Sequence, residues 1–245
     1  MNYIIFDLEF NQMYTKKSTD TNTDILEKKH NDQKYSHEND KTSEMPFEII
    51  QLGALKLNEN FETIGTFNSF VKPTLYKEIH PFIQELTSIT TEMVCNENPF
   101  PDIYEDFITF IGNDDFTMVV WGADDIKQLI KNIHFHKLNL HNNIKKYIDI
   151  QNIASKKFNT PNGNRLGLKS AVRLLNIPCE NEFHNALNDA IYTAHVFRNV
   201  FNKNIKPTIY SDTNHKKDLS ASLKVDTEKL ISQFEKIFNR QMTKE

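Results

Sequence analysis

The chain has 245 residues, 29 basic and 33 acidic side chains, and a formal net charge of −4. That length allows one domain with a sizeable core and an appendage, while the slightly acidic balance excludes a globally basic nucleic-acid binder, so any attraction for phosphate must be local. The two cysteines, Cys95 and Cys179, lie too far apart in sequence for a zinc motif or a disulfide framework, and no apolar run is long enough to cross a membrane.

The first strand is predicted at Tyr3 to Phe10, apolar and β-prone almost throughout. It begins at once, which leaves no room for a signal peptide, and a cytoplasmic, reducing location is expected. Asp7 and Glu9 interrupt it. Side chains alternate across a strand, so both carboxylates face the same way, one pleat apart. Two such acids in an apolar strand are costly unless neutralised. A divalent cation with hard oxygen ligands, magnesium or manganese, would do so. The alternative is a strand that ends near Phe6, with both acids solvated at its mouth.

Met13 to Glu44 is polar, rich in Lys, Asn, Thr and Asp, and nearly charge-balanced. It lacks the apolar surface to offset its ordering entropy and reads as a flexible insertion, placed to overhang Glu9 or simply to form an exposed loop. From Met45 to about Val200 the pattern runs strand, strand, strand, helix, strand, helix, then further helices with a short strand near Tyr147 to Ile150. Phe116 to Trp121 reads as a buried strand broken by Gly122, and Asp124 to Ile133 as a helix in which either Asp124 or Asp125 is a plain N-cap or a functional acid. Gln151 to Cys179 carries Lys156, Lys157, Arg165, Lys169 and Arg173 with no acidic residue, a local phosphate-attracting stretch or a solvated helix face.

Phe183 to Asp189 opens a helix with Ala186, Ala190, Ala194, Phe197 and Phe201 on one face, where small alanines permit close approach to a sheet. His184 stands at or just before its start and Asp189 in its early turns, so both can face one cleft. Beyond Asn202 a polar linker leads to an amphipathic helix with Leu230, Phe234, Ile237 and Phe238 at helical spacing, capped by Asp226 or Thr227. The domain boundaries read from this are 1–202, with the insertion at 13–44, and 203–245.

In this order the segments DLE (Asp7, Glu9), WGADDIKQL and HNALND resemble the histidine branch of the DEDD superfamily of 3′–5′ exonucleases, which includes RNase T, oligoribonuclease and the proofreading subunit of DNA polymerase III. The last segment matches His-x-Ala-x-x-Asp, and alignment on Leu129 selects Asp125 over Asp124 as the family acid. FEIIQLGALKL (Phe47 to Leu57) and FNSFVKP (Phe67 to Pro73) resemble the family's second and third strands, and LTSIT (Leu86 to Thr90) its substrate-contacting turn. FEIIQLGA and the VKP segment look most like the subgroup around KapD and the enhancer-of-RNAi exonucleases. One departure is Phe10-Asn11-Gln12, where the family commonly has Thr or Ser with Gly.

The resemblance implies an α/β, RNase H-like exonuclease fold with a central mixed five-stranded sheet flanked by helices. It implies two divalent ions, Mg2+ or Mn2+, held by Asp7, Glu9, Asp125 and Asp189, with Asp7 bridging, Asp125 acting through water and His184 as general base. It implies release of nucleoside 5′-monophosphates from the 3′ end of single-stranded nucleic acid, RNA more than DNA, with Phe10, Leu86, Ile89 and Trp121 as substrate contacts. Two other classes compete: a binding module that has lost its chemistry, and a metal enzyme acting on small phosphate esters. All five expected polar positions are filled, which argues against the first, and the intact HNALND and WGADD patterns argue against the second.

Overall fold

Tyr3, Ile4, Ile5 and Phe6 are all buried, and this apolar run makes β1 (Asn2–Gln12) an inner strand of the sheet. The computed structural model describes residues 1–13, 45–160 and 164–211. β1 pairs antiparallel with β2 (Phe47–Leu57) and parallel with β4 (Phe116–Val120). β3 (Thr63–Phe70) continues the sheet antiparallel beyond β2, and β5 (Lys146–Asp149) continues it in parallel beyond β4. The five expected strands are joined by a sixth, β6 (Thr208–Ile209), antiparallel to β5, for the order β3-β2-β1-β4-β5-β6. This edge strand lies in the stretch read from sequence as linker. One compact unit runs Met1–Ile209. All of the 13–44 insertion except Met13, and the amphipathic helix with Leu230 to Phe238, lie outside the described residues.

Helices α1 (Pro81–Thr87), α2 (Thr91–Val94) and α3 (Phe100–Ile111) follow β3, and α4 (Asp124–Phe135) follows β4. After β5 come α5 (Ile150–Lys157), α6 (Leu168–Leu174) and α7 (Ala186–Val200). The alternation of β1 decides what each face carries. Phe6 packs on Phe107 of α3, which also meets Phe67 of β3. Tyr3 packs on Phe197 of α7, and with Ile5, Leu55 and Val119 it joins the core that includes Ala190 and Ala194. Helices therefore cover both faces. Pairing with β2 is in register from Tyr3 to Glu9, and the one irregularity falls between Glu9 and Phe10. Asp7 and Glu9 thus share the face of Tyr3 and Ile5, the face that α7 covers.

Close approach of α7 depends on one glycine. A Cβ on Gly53 would stand 2.2 Å from the Leu187 nitrogen and 2.3 Å from the Ala186 carbonyl carbon, so the helix start rests directly on the β2 backbone. Gly53 is also the register partner of Asp7. The first turn of α7 is thereby brought level with the first acid.

Candidate active site

Each arm of the site is fixed by a different local device. Asp7 and Glu9 ride on β1. Asp125 lies in the first turn of α4, whose cap position is held by Ala123 with no side-chain cap hydrogen bond, so neither Asp124 nor Asp125 is the N-cap. Asp124 is exposed and Asp125 is buried. Asn132, fully buried farther along α4, hooks the helix to β2: its Oδ1 accepts from the Ile49 N–H and its Nδ2 donates to the Phe47 carbonyl.

The third arm is the loop into α7. Asn185 caps the helix by accepting from the Asn188 N–H, and the Ala186 N–H donates to Oε1 of buried Gln51 at 3.1 Å. Gln51 is itself oriented by donating to Asn68 across the sheet, at 3.0 Å. His184 stands immediately before the cap with φ +63°, a left-handed conformation that costs a non-glycine residue about 1–2 kcal/mol. Its N–H donates to Oδ2 of Asp189 at 3.2 Å, which ties the strained residue to the acid one turn into the helix.

These arms bring the acids into one another's fields. Burial first, then repulsion from Asp125, Asp189 and Glu9, holds the Asp7 carboxyl well above the usual carboxylate range, against an opposing hydrogen bond from the Leu8 N–H. Glu9 is raised by burial and then by Asp189 and Asp125; Asp125 by burial and then by Asp124 and Asp189. Asp189 is pushed up to about 7 by burial, despite the hydrogen bond from His184. His184 moves the other way: the protein crowding its inner side, and then the positive charge of Lys169, lower its pKa although the residue is exposed to solvent.

Among the described residues no Lys or Arg forms an ion pair with any of these four acids. Oδ1 of Asp189 is buried without a hydrogen-bond partner. Ligand atoms of Glu9, His184 and Asp189 all lie within 4.8 Å of one another. An orphaned carboxylate oxygen, mutual repulsion and a hard oxygen-rich donor set fit divalent cations of the magnesium or manganese kind. Asp7 feels the other three acids, and Asp189 is the acid that the other three all feel.

Beside His184 lies a cleft whose walls include Phe70, Leu86, Ser88, Ile89, Met93 and Phe183. Of the four expected substrate contacts, Leu86 and Ile89 line it. Ile89 is 1% exposed, packed with Ile50, Ile79 and Val94, so most of its side chain serves the core. Phe10, just past the β1 irregularity, packs on Phe47, and Trp121 packs partly buried against the α7-side core; neither is among the cleft residues. Phe70, Met93 and Asn188, which also line the cleft, gave no signal in the sequence as substrate contacts.

Asn11 and Glu48 were missed as well. They are register partners, and both are buried. Asn11 donates to the carbonyls of Tyr76 and Glu78 and accepts from the His80 N–H. Glu48 accepts from the Thr74 hydroxyl and the N–H groups of Leu75 and Tyr76. Together they pin residues 74–80, the lead-in to α1 and hence to the cleft wall. The unexpected Asn11 after the first acids is a strut. In the basic stretch, Lys157 donates to the Asn199 carbonyl, a structural tie, while Arg165 and Lys169 remain exposed, Arg165 close to Gly122 and Lys169 over the Phe183 ring at 5.8 Å.

Residues 4–197 match the family described as exonuclease (RNase T). The chain is 29% identical over 170 residues to the PolC-type DNA polymerase III of Clostridium perfringens, covering 69% of this chain and 10% of that protein. It is 31% identical over 181 residues to the 3′-5′ exonuclease DinG of Staphylococcus saprophyticus, covering 70% of this chain and 19% of that protein. It therefore spans between a tenth and a fifth of the length of these curated relatives. Among solved structures, it matches the nuclease domain of 3′hExo, a DEDDh family member bound to rAMP, with a TM-score of 0.64 at 18% identity, over 86% of this chain and 96% of that one. It matches Pop2p of S. pombe in its Mg2+- and Mn2+-bound form with a TM-score of 0.54 at 19% identity, over 81% and 82%. No helix among the described residues is long and apolar enough to cross a membrane. The fold is the mixed α/β RNase H-like exonuclease fold, and the chain belongs to the exonuclease (RNase T) family.

Proposed function

We propose that this chain is a metal-dependent 3′–5′ exonuclease that removes nucleoside 5′-monophosphates from the 3′ end of single-stranded nucleic acid, with RNA favoured. The observation that carries this reading is a set of four crowded carboxylates with raised pKa values and almost no donors, beside a histidine and an open cleft. Asp7, Glu9, Asp125 and Asp189 would hold two divalent ions, Mg2+ or Mn2+. When bound, such ions neutralise the acids, polarise the scissile phosphate and acidify a water.

The chain's own residues supply the rest. His184, with its pKa lowered, is neutral near pH 7 and able to take a proton from the attacking water. The water oxygen bonds to phosphorus as the bond to the penultimate 3′ oxygen breaks, which frees the terminal nucleotide with its 5′-phosphate. Leu86 and the turn at Ser88, at the cleft wall, would receive the terminal base. His184 also lies within ligating reach of the acids. The base and ligand roles separate by experiment: a base can be removed without loss of metal affinity.

The RNA preference follows the likeness to the KapD and enhancer-of-RNAi subgroup, and discrimination would rest on contacts to the 2′-hydroxyl. A DNA-directed reading is favoured by one observation, the identity to a PolC-type DNA polymerase. Matched 3′-labelled and 5′-labelled RNA and DNA oligonucleotides, incubated with the protein and manganese, test all of this. Laddering from the 3′ end is expected, faster on RNA. Faster laddering on DNA selects the second reading, and binding without cleavage of either strand would mark a module without chemistry.

A further inference from the structure

His184 is exposed, adopts a left-handed backbone conformation and lies on a loop, yet the proposed chemistry needs its ring held in one place. A residue in such a conformation persists only where its surroundings over-determine it. The hydrogen bond to Asp189 holds only its N–H, and the loop before it, from Asn181 to Phe183, needs a separate hold.

That hold is Tyr192, on the second turn of α7 and 2% exposed. Its hydroxyl accepts from the Asn181 N–H at 2.9 Å and donates to the Asn181 carbonyl at 2.8 Å, so one phenol binds both polar groups of a single residue. Its ring stacks on Phe183, centroids 4.6 Å apart and planes 19° apart. Asn188, also on α7, donates to the Glu182 carbonyl at 3.0 Å. Every residue from Asn181 to His184 is therefore fastened to α7, and Phe183 is covalently next to the histidine.

We propose that Tyr192 is a positioning residue for His184: through Asn181 and Phe183 it locks the histidine loop onto the same helix that carries Asp189. It touches no substrate and holds no metal. Two part-buried hydrogen bonds to a buried phenol and a ring stack hold the loop on the helix.

This rests on the exonuclease reading, and Tyr192→Phe tests it, because the ring stack and the fold survive while both hydrogen bonds are lost. In the full chain with manganese, kcat is expected to fall about tenfold, about 1.4 kcal/mol of barrier, with KM and manganese affinity unchanged. Tyr104→Phe is the matched control. Tyr104 is a buried phenol that donates to the Asn139 carbonyl and accepts from the His141 N–H, and it lies outside the cleft and the acid cluster. It should lose stability with kcat unchanged. Amide hydrogen exchange at residues 181–184 should rise in Tyr192→Phe and stay at the wild-type level in Tyr104→Phe. A Tyr192→Phe enzyme with wild-type kcat, or one whose kcat falls only as much as that of the Tyr104 control, overturns the proposal. If the wild-type protein cleaves no strand, the exonuclease reading fails instead, and unchanged exchange at residues 181–184 would still refute the lock.

Discussion

A single buried carboxylate on β2 and a cluster of four acids on β1, α4 and α7 are treated by the protein in opposite ways. Glu48 on β2 is 2% exposed and receives a hydroxyl and several backbone N–H donors from residues 74–76. Charge-assisted hydrogen bonds of this kind replace the water that burial removes. A few residues away, Asp7, Glu9, Asp125 and Asp189 face one another instead, with the Leu8 and His184 N–H groups as opposing donors and an oxygen of Asp189 left bare. Burial alone therefore does not single out a candidate metal site; burial without donors does. Glu48 belongs to the fold, and the four-acid cluster is the site we propose for divalent cations.

The largest effect should come from Asp7, the acid that feels all the others. Asp7→Asn is expected to lower kcat on the order of 10³-fold, the scale of several kcal/mol of transition-state charge stabilisation, when oligonucleotide turnover is followed with manganese. His184→Ala should cost about 10²- to 10⁴-fold in kcat, the range for a general base, with manganese affinity by calorimetry unchanged; lost affinity would make His184 a ligand instead. Gly53→Ala forces a methyl into the α7 backbone and should displace Asp189 from Asp7, with a loss of about 10²-fold for a shift near 1 Å. Wild-type turnover in that variant would mean the helix start need not rest on β2.

Glu48→Gln sharpens the contrast from the other side. It sets an amide against N–H donors, and should cost about 1–3 kcal/mol of stability while kcat below the melting range stays near wild-type. A further effect is the pH dependence of the metal-free protein. Carboxylates with raised pKa hold protons in the folded state that the unfolded chain has released. Their contribution is fully present below the ordinary carboxylate pKa of about 4, and is lost as pH rises through the folded value, about 7 for Asp189. Thermal melting in chelator should therefore show stability falling across that window, with metal affinity rising over the same range as protons leave the ligands.

How much of this was legible in the sequence follows from the range of each cause. Strand alternation is local, so the shared face of Asp7 and Glu9 could be read from eight residues. The close approach of α7 was visible in Ala186, Ala190 and Ala194, although its counterpart Gly53 was not, because the contact spans the fold. Choosing between Asp124 and Asp125 needed the family resemblance; spacing left both open, and the cap role fits neither, since Ala123 takes it. Asn11 and Glu48 were opaque because their partners lie in a loop far along the chain. Phe10 and Trp121, expected as substrate contacts from the resemblance, are partly buried, Phe10 against Phe47 and Trp121 against the core. The sixth strand is two residues long, too short to leave a pattern.

The claim that the four acids repel one another until a cation arrives is tested most directly by melting wild-type and Asp7→Asn protein at pH 8, with chelator and with manganese. In chelator the inactive variant should melt higher than wild-type, by about 2–4 °C for each kcal/mol of repulsion removed. Saturating manganese should reverse the order, since a ligand at 100 times its Kd adds about 2.7 kcal/mol to the protein that binds it. A variant that melts lower than wild-type in chelator, with no response of either protein to manganese, would contradict the claim.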